Sequence, residues 1–196
     1  MIGSTSWVVP GTYIENARIL EGIVDFVELL VYTWDEDTKR LLHKEMPCLL
    51  DLDLSYTIHL PTDNLEHVHK AIKFIEDAKF PVLNYVLHPL EGWEKHSWSD
   101  RVSIENLIDR IEPYKRMVFD VGHHILGVSF PNSLKDNIVE IHAMGVEKGR
   151  DHLSLNKKTA DVIKDYMIDE ILINFEVFDI EDLKDSIKLW RDILDK

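Results

Sequence analysis

The chain has one cysteine, Cys48, among its 196 residues. A single cysteine excludes an internal disulfide and any zinc site built from clustered thiolates, and it fits a reducing compartment such as the cytoplasm. Between Pro47 and Leu49, Cys48 reads as a packing residue. Long apolar runs are also missing; none approaches the roughly 20 residues needed to span a bilayer. The first residues, MIGSTSWVVPG, lack a basic region followed by an apolar stretch, so no signal peptide is expected. Basic residues are few: 22 Lys and Arg stand against 36 Asp and Glu, a formal charge of −14. Nonspecific affinity for nucleic acid comes largely from cations neutralising phosphates, so a polyanionic partner is not expected. A small molecule held in a local pocket is compatible with this charge, and nothing in the sequence speaks to oligomeric state.

What the chain does have is 45% hydrophobic residues, enough for one substantial domain over residues 1–196. Short apolar or β-rich runs recur at Ile2–Ser6, Phe26–Tyr32, Tyr56–Leu60, Val82–Leu87, Val102–Glu105, Met117–Asp120, Ile138–His142 and Ile171–Glu176. Several are apolar without alternation, as in strands buried on both faces of a parallel sheet. Helix-like segments lie between them: Thr12–Leu20, Asp37–Glu45, residues 64–78 with Asp63 as the cap, Asn106–Ile111, Asn156–Tyr166 and Ile180–Leu194. Eight strands alternating with helices predict an α/β fold, a compact (β/α)8 TIM barrel. Such barrels usually need about 200 residues or more, and 88–100 and 122–137 look too irregular for full helices. Some outer helices are therefore expected to be shortened or missing. An open α/β sheet is the alternative.

In a barrel of this type the C-terminal ends of the strands face the catalytic mouth. The residues predicted there form a series. His59 ends the third strand (TIHLP), and His88 follows the fourth (VLHPLEG). Glu105 ends the fifth (SIENL), and Asp120 with His123 ends the sixth (FDVGHH). His142 ends the seventh (EIHAM), His152 lies in its loop (GRDHLSL), and Glu176 ends the eighth (NFEVF). Singly, each has an ordinary explanation: a strand-end histidine hydrogen-bonds locally, and Glu105 can cap a following helix. Six consecutive strands ending in His, Asp or Glu point instead to a metal site. Mixed imidazole and carboxylate ligands suit Zn²⁺ or Mn²⁺, with Fe²⁺ also compatible. Eight candidates exceed the four ligands usual for one zinc, so two or three divalent metal ions per chain are expected, with Glu105 and Glu176 as bridges. His124 reads as a supporting or packing residue. His67 and His69 read as surface or interhelical residues, and His43 and His96 have no strand-end context.

These motifs resemble the xylose isomerase-like barrel superfamily, which includes endonuclease IV and sugar-phosphate isomerases and epimerases. FDVGH is similar to its Asp-x-x-His element, IENL to its strand-five glutamate motif, and EIHAM followed by DHLSL to its strand-seven histidine and downstream His-x-x-Leu. The resemblance implies a trinuclear centre bound by His59, His88, Glu105, Asp120, His123, His142, His152 and Glu176. One departure stands out: where endonuclease IV has an aspartate ligand two residues before the equivalent of His152, this chain has Arg150, with Asp151 beside it. Three alternatives stand: the third ion is lost, Asp151 supplies the carboxylate, or Arg150 instead places a cation near a bound phosphate. The segment GSTSWVVPGTYIENARILEGIVDFVELLVY, with LSYTIHLPTD after it, is similar to the cobamide-remodelling phosphodiesterases of the CbiR type.

The resemblance implies a metal-dependent hydrolase that cleaves a phosphodiester in a small molecule, such as the nucleotide loop of a cobamide. Glu105 or Glu176 would orient or deprotonate the attacking water. Trp7, Trp34, Trp93 and Trp98 fall in or near the mouth loops, where Trp7 and Trp34 are candidates for a substrate platform. The alternative is a sugar or sugar-phosphate isomerase or epimerase using Glu105, Asp120, His142 and Glu176 around one ion. That scheme leaves His59, His88 and His123 without a task.

Overall fold

A computed structural model describes residues 1–194. The chain begins with β1 (Ile2–Thr5), α1 (Tyr13–Leu20), β2 (Phe26–Leu30), α2 (Glu36–Leu49), β3 (Ser55–His59) and α3 (Leu65–Asp77). It continues with β4 (Asn84–Leu87), β5 (Val102–Glu105), β6 (Met117–Asp120), α4 (Val121–Leu126) and β7 (Ile138–Ala143). A short antiparallel hairpin, β8 (Gly145–Glu147) with β9 (Arg150–Leu153), precedes α5 (Lys157–Tyr166), β10 (Leu172–Phe175) and α6 (Ile180–Leu194). Eight parallel strands close in the order β1-β10-β7-β6-β5-β4-β3-β2. The fold is a compact (β/α)8 barrel.

Local sequence explains the regular first half. Thr12 and Glu15 form a reciprocal capping box at α1, and Asp35 caps α2 by accepting from the Thr38 amide. The cap of α3 is Asn64 and not Asp63 as expected. Asp63 instead accepts from the Asn64 amide and meets the His67 ring at 2.6 Å. Val68, Ala71 and Ile75 bury one stripe of α3 against the barrel.

The second half departs from regularity as anticipated for a chain this short. The β4–β5 connection holds one 3-10 turn, Trp93–Lys95, and the β6–β7 connection holds α4 and a 3-10 turn at Asn132–Asn137. The helix expected at Asn106–Ile111 does not form. Asn106 is buried and spends its amide on Asp120, accepting from its N–H at 2.8 Å and donating to its carbonyl at 3.1 Å. Those bonds fix the end of β6 beside β5 in place of starting a helix. Cys48 is exposed on α2, contrary to the packing role expected of it. Among the described residues, no helix is long and apolar enough to cross a membrane.

Candidate metal centre

The strand ends converge on a cavity of about 280 Å³ lined by Tyr32, His59, Thr62, His88, Glu105, Asp120, His123, His152 and Glu176. Glu105 stands at the centre. Its Oε2 lies 3.0 Å from His88 Nε2 and 3.3 Å from His59 Nε2. Its Oε1 lies 3.6 Å from both His123 Nδ1 and His142 Nδ1. Each oxygen of one carboxylate thus faces a different pair of imidazoles. Asp120 is adjacent to His142 in the β6–β7 register, and its carboxylate caps α4 by accepting from the His123 amide at 2.6 Å. The same side chain therefore starts the helix that brings His123 back over the site. Glu176, one residue past β10, holds Oε1 3.3 Å from the Tyr32 hydroxyl and Oε2 3.3 Å from His142 Nδ1.

The glycine in FDVGHH has a packing reason. A Cβ on Gly122 would meet Met144 Sδ at 2.8 Å, Asp151 Cβ at 3.1 Å and Asp120 Oδ1 at 3.2 Å. Its absence lets the β8–β9 hairpin close against the end of β6. His152, in that hairpin, has φ of +52°, a region that a residue with a side chain rarely adopts. Its ring lines the cavity, with Nδ1 3.2 Å from the Glu176 carbonyl and Nε2 4.0 Å from Asp151 Oδ1.

Burial and neighbours set the charges. Glu105 is buried, which by itself raises its pKa, but His88, His142 and His59 outweigh this and hold it well below the usual carboxylate range. Glu176 is likewise lowered to about 2, its burial outweighed by His142. Asp120 goes the other way: burial, joined by Glu105 and Glu176, pushes it to about 8 against the pull of His123. His142 is raised well above its ordinary value, because Glu28 and Glu176 overcome the effect of burial.

No protein-family model and no curated protein matches the sequence. Among solved structures, a D-tagatose 3-epimerase-like protein superposes with a TM-score of 0.70 at 17% identity, over 99% of this chain and 97% of that one. A D-psicose 3-epimerase determined in the presence of D-fructose gives 0.56 at 12% identity, over 100% of this chain and 99% of the other. The likeness is one of fold.

The residues fit divalent ions on their own chemistry. Among the described residues, four groups of three bring ligand atoms within 4.8 Å of one another: His59–His88–Glu105, Glu105–Asp120–His123, Asp120–His142–Glu176 and, deeper, Glu28–Glu140–His142. The first and second share Glu105, and the second and third share Asp120. Glu105 Oε2 and both ring nitrogens of His142 are buried without a hydrogen-bond partner, an unfavourable state that a cation would relieve.

Seven of the eight residues expected as ligands line the cavity; His142 lies directly beneath it, wholly buried. The residues proposed for substrate contact are not brought there. Trp34 is 5% exposed and packs edge-on against Phe74, so it cannot present a platform. Trp7 is exposed and Arg150 projects from β9, both outside the cavity lining. Asp151, not Arg150, is the member of that pair beside His152. Trp93 is buried against Tyr114, and Trp98 stacks on His69. His124 is a packing residue between Phe119 and Tyr166, with Nδ1 accepting from the Phe130 amide.

Sequence reasoning missed Tyr32 and Thr62 at the mouth, and Glu28 and Glu140 in the interior. Tyr32 ends the run Phe26–Tyr32, and its place one strand before the TIHLP histidine was the available signal. A glutamate inside an apolar run, as in FVELL and VEIHA, was the signal for the other two.

Proposed function

We propose that this protein is a divalent-metal-dependent hydrolase that cleaves a phosphodiester in a small-molecule substrate. The observation that carries this reading is Glu105, whose two oxygens face separate imidazole pairs and so suit a bridge between neighbouring ions. Two or three ions such as Zn²⁺ or Mn²⁺, when bound, would supply positive charge to phosphate oxygens and acidify a water at neutral pH. His59 and His88 would hold one side of the centre; Asp120, His123, His142 and Glu176 would hold the other, with His152 at the rim beside Asp151.

The chain's own residues define the remaining roles. Glu176, with a pKa near 2, is a poor proton acceptor and a good permanent anion, suited to orienting the attacking water through a hydrogen bond. The Tyr32 phenol is raised by burial, then by Glu176 and other carboxylates, so it stays protonated and donates to Glu176. The cavity accommodates a phosphate and its nearest substituents; the rest of a larger substrate would lie outside across the mouth loops. Cleavage in the nucleotide loop of a cobamide is the finer form of this proposal, supported by the N-terminal sequence resemblance.

A second reading, a sugar or sugar-phosphate epimerase or isomerase, is favoured by the compact set Asp120–His142–Glu176 with Glu105 beside it. The two solved structures named above are an epimerase and an epimerase-like protein, which makes this the natural comparison. It leaves His59, His88 and His123 unused, and so ranks second. Assaying the zinc- or manganese-loaded protein against a chromogenic phosphodiester and a ketose, side by side, separates the two. Diester hydrolysis with no ketose turnover is expected; the reverse would overturn the proposal.

A further inference from the structure

Below the mouth, the barrel holds a second pair of carboxylates. Glu28 of β2 and Glu140 of β7 are both 0% exposed, and neither lines the cavity. They meet the underside of His142: Nε2 lies 3.3 Å from Glu28 Oε2 and 3.9 Å from Glu140 Oε1. The opposite edge of the ring, Nδ1, faces Glu176 Oε2 at 3.3 Å, Glu105 Oε1 at 3.6 Å and Asp120 Oδ2 at 3.9 Å. His142 therefore separates two carboxylate layers, one nitrogen to each.

A neutral imidazole carries one proton, and the nitrogen that holds it cannot bind a metal. Whatever accepts that proton decides which nitrogen is bare. Glu140 is already served by other donors, the Asn84 amide at 2.8 Å and the Thr57 hydroxyl at 3.5 Å. Glu28 differs. Its Oε1 accepts from Asn174 Nδ2 at 2.8 Å, while Oε2 is buried with no hydrogen-bond partner and faces the imidazole edge at 3.3 Å. The strand register supports this geometry, since Asn174 pairs directly with His142 and so clamps Glu28 from the side.

We propose that Glu28 is a positioning residue for the metal centre: with an ion bound, its Oε2, 3.3 Å from His142 Nε2, would accept the Nε2–H and fix the tautomer whose Nδ1 lone pair is aimed at the side of Asp120 and Glu176. This rests on the metal-centre reading above. Carboxylates that orient a ligating histidine from behind typically contribute about 10- to 100-fold in metal affinity. Glu140, with its oxygens otherwise committed, contributes far less.

The test is zinc alone, competed against a chelator, on the full chain and on Glu28→Gln and Glu140→Gln. Glu28→Gln replaces the carboxyl acceptor at constant shape and is expected to weaken zinc binding by about 10- to 100-fold, while Glu140→Gln stays close to wild type. Equal binding by wild type and Glu28→Gln overturns the proposal and leaves the metal centre standing. Absence of zinc binding in wild type overturns the metal centre, and the proposal with it. Nitrogen-15 NMR of the zinc-loaded wild type needs no variant: a proton on His142 Nε2 supports the assignment, and a proton on Nδ1 contradicts it.

Discussion

Glu105 and Glu140 are glutamates of one barrel interior, 2% and 0% exposed, yet their surroundings give them opposite characters. Glu140 meets an amide and a hydroxyl. Burial, reinforced by Glu28, pushes its carboxyl up to about 8, so it is largely neutral at pH 7. Glu105 meets imidazoles on both sides, and they keep it ionised despite equal burial. Neutral donors let a buried carboxyl relax into its protonated form and become structural. Imidazoles hold Glu105 ionised, yet its Oε2 and both His142 ring nitrogens stay buried without hydrogen-bond partners, which is a poor arrangement unless a cation joins them.

The largest effect should come from Glu105. Glu105→Gln is expected to lower zinc affinity by more than about 100-fold, beyond what groups supporting a ligand contribute; unchanged zinc content on elemental analysis would remove Glu105 from the centre. Next come the imidazoles that distinguish the two functional readings. His59→Ala or His88→Ala should abolish diester hydrolysis in a steady-state assay, and undiminished hydrolysis would exclude both residues from the site.

Acid should weaken the upper layer in a defined direction. With Asp120 pushed to about 8 and His142 raised well above its ordinary value, the metal-free centre holds protons at neutral pH that an ion must displace. Zinc affinity measured by chelator competition should therefore rise from about pH 6 to about pH 8, with protons released on binding. A flat profile over that range would show that these groups are not displaced.

The smallest effect belongs to Glu140→Gln, which resembles the protonated acid. A carboxyl raised in the fold holds its proton more tightly there than in the unfolded chain, so wild type loses stability as pH climbs from 4.5 toward about 8. The variant cannot ionise. Its unfolding free energy relative to wild type should increase across that window and then level off. A difference independent of pH would mean that Glu140 does not titrate inside the barrel.

How much of this was legible in the sequence depends on what each residue answers to. His59, Glu105 and Asp120 could be placed because a parallel strand ends at its polar residue, and barrel topology sends every such end to one face. The break in helices after β4 was readable from the irregular run 88–100. Asn106 was not: its hydrogen bonds go to Asp120 across the sheet, a tertiary partner that no local propensity reveals. Trp34 was misplaced because an aromatic in a loop can face the ligand or the neighbouring helix, and here Phe74 of α3 took it. Glu28 and Glu140 were hidden inside apolar runs, where period and composition read as core. Their meaning depends on Asn84, Asn174 and His142 arriving from other strands.

The central claim is that the mouth binds more than one ion and uses them to cut a phosphodiester. Elemental analysis of the purified protein, with diester hydrolysis measured on the same sample, tests it most directly. Two or three zinc or manganese ions per chain, with hydrolysis that a chelator abolishes and the metal restores, is the predicted result. One ion per chain, with ketose turnover and no diester cleavage, would contradict it.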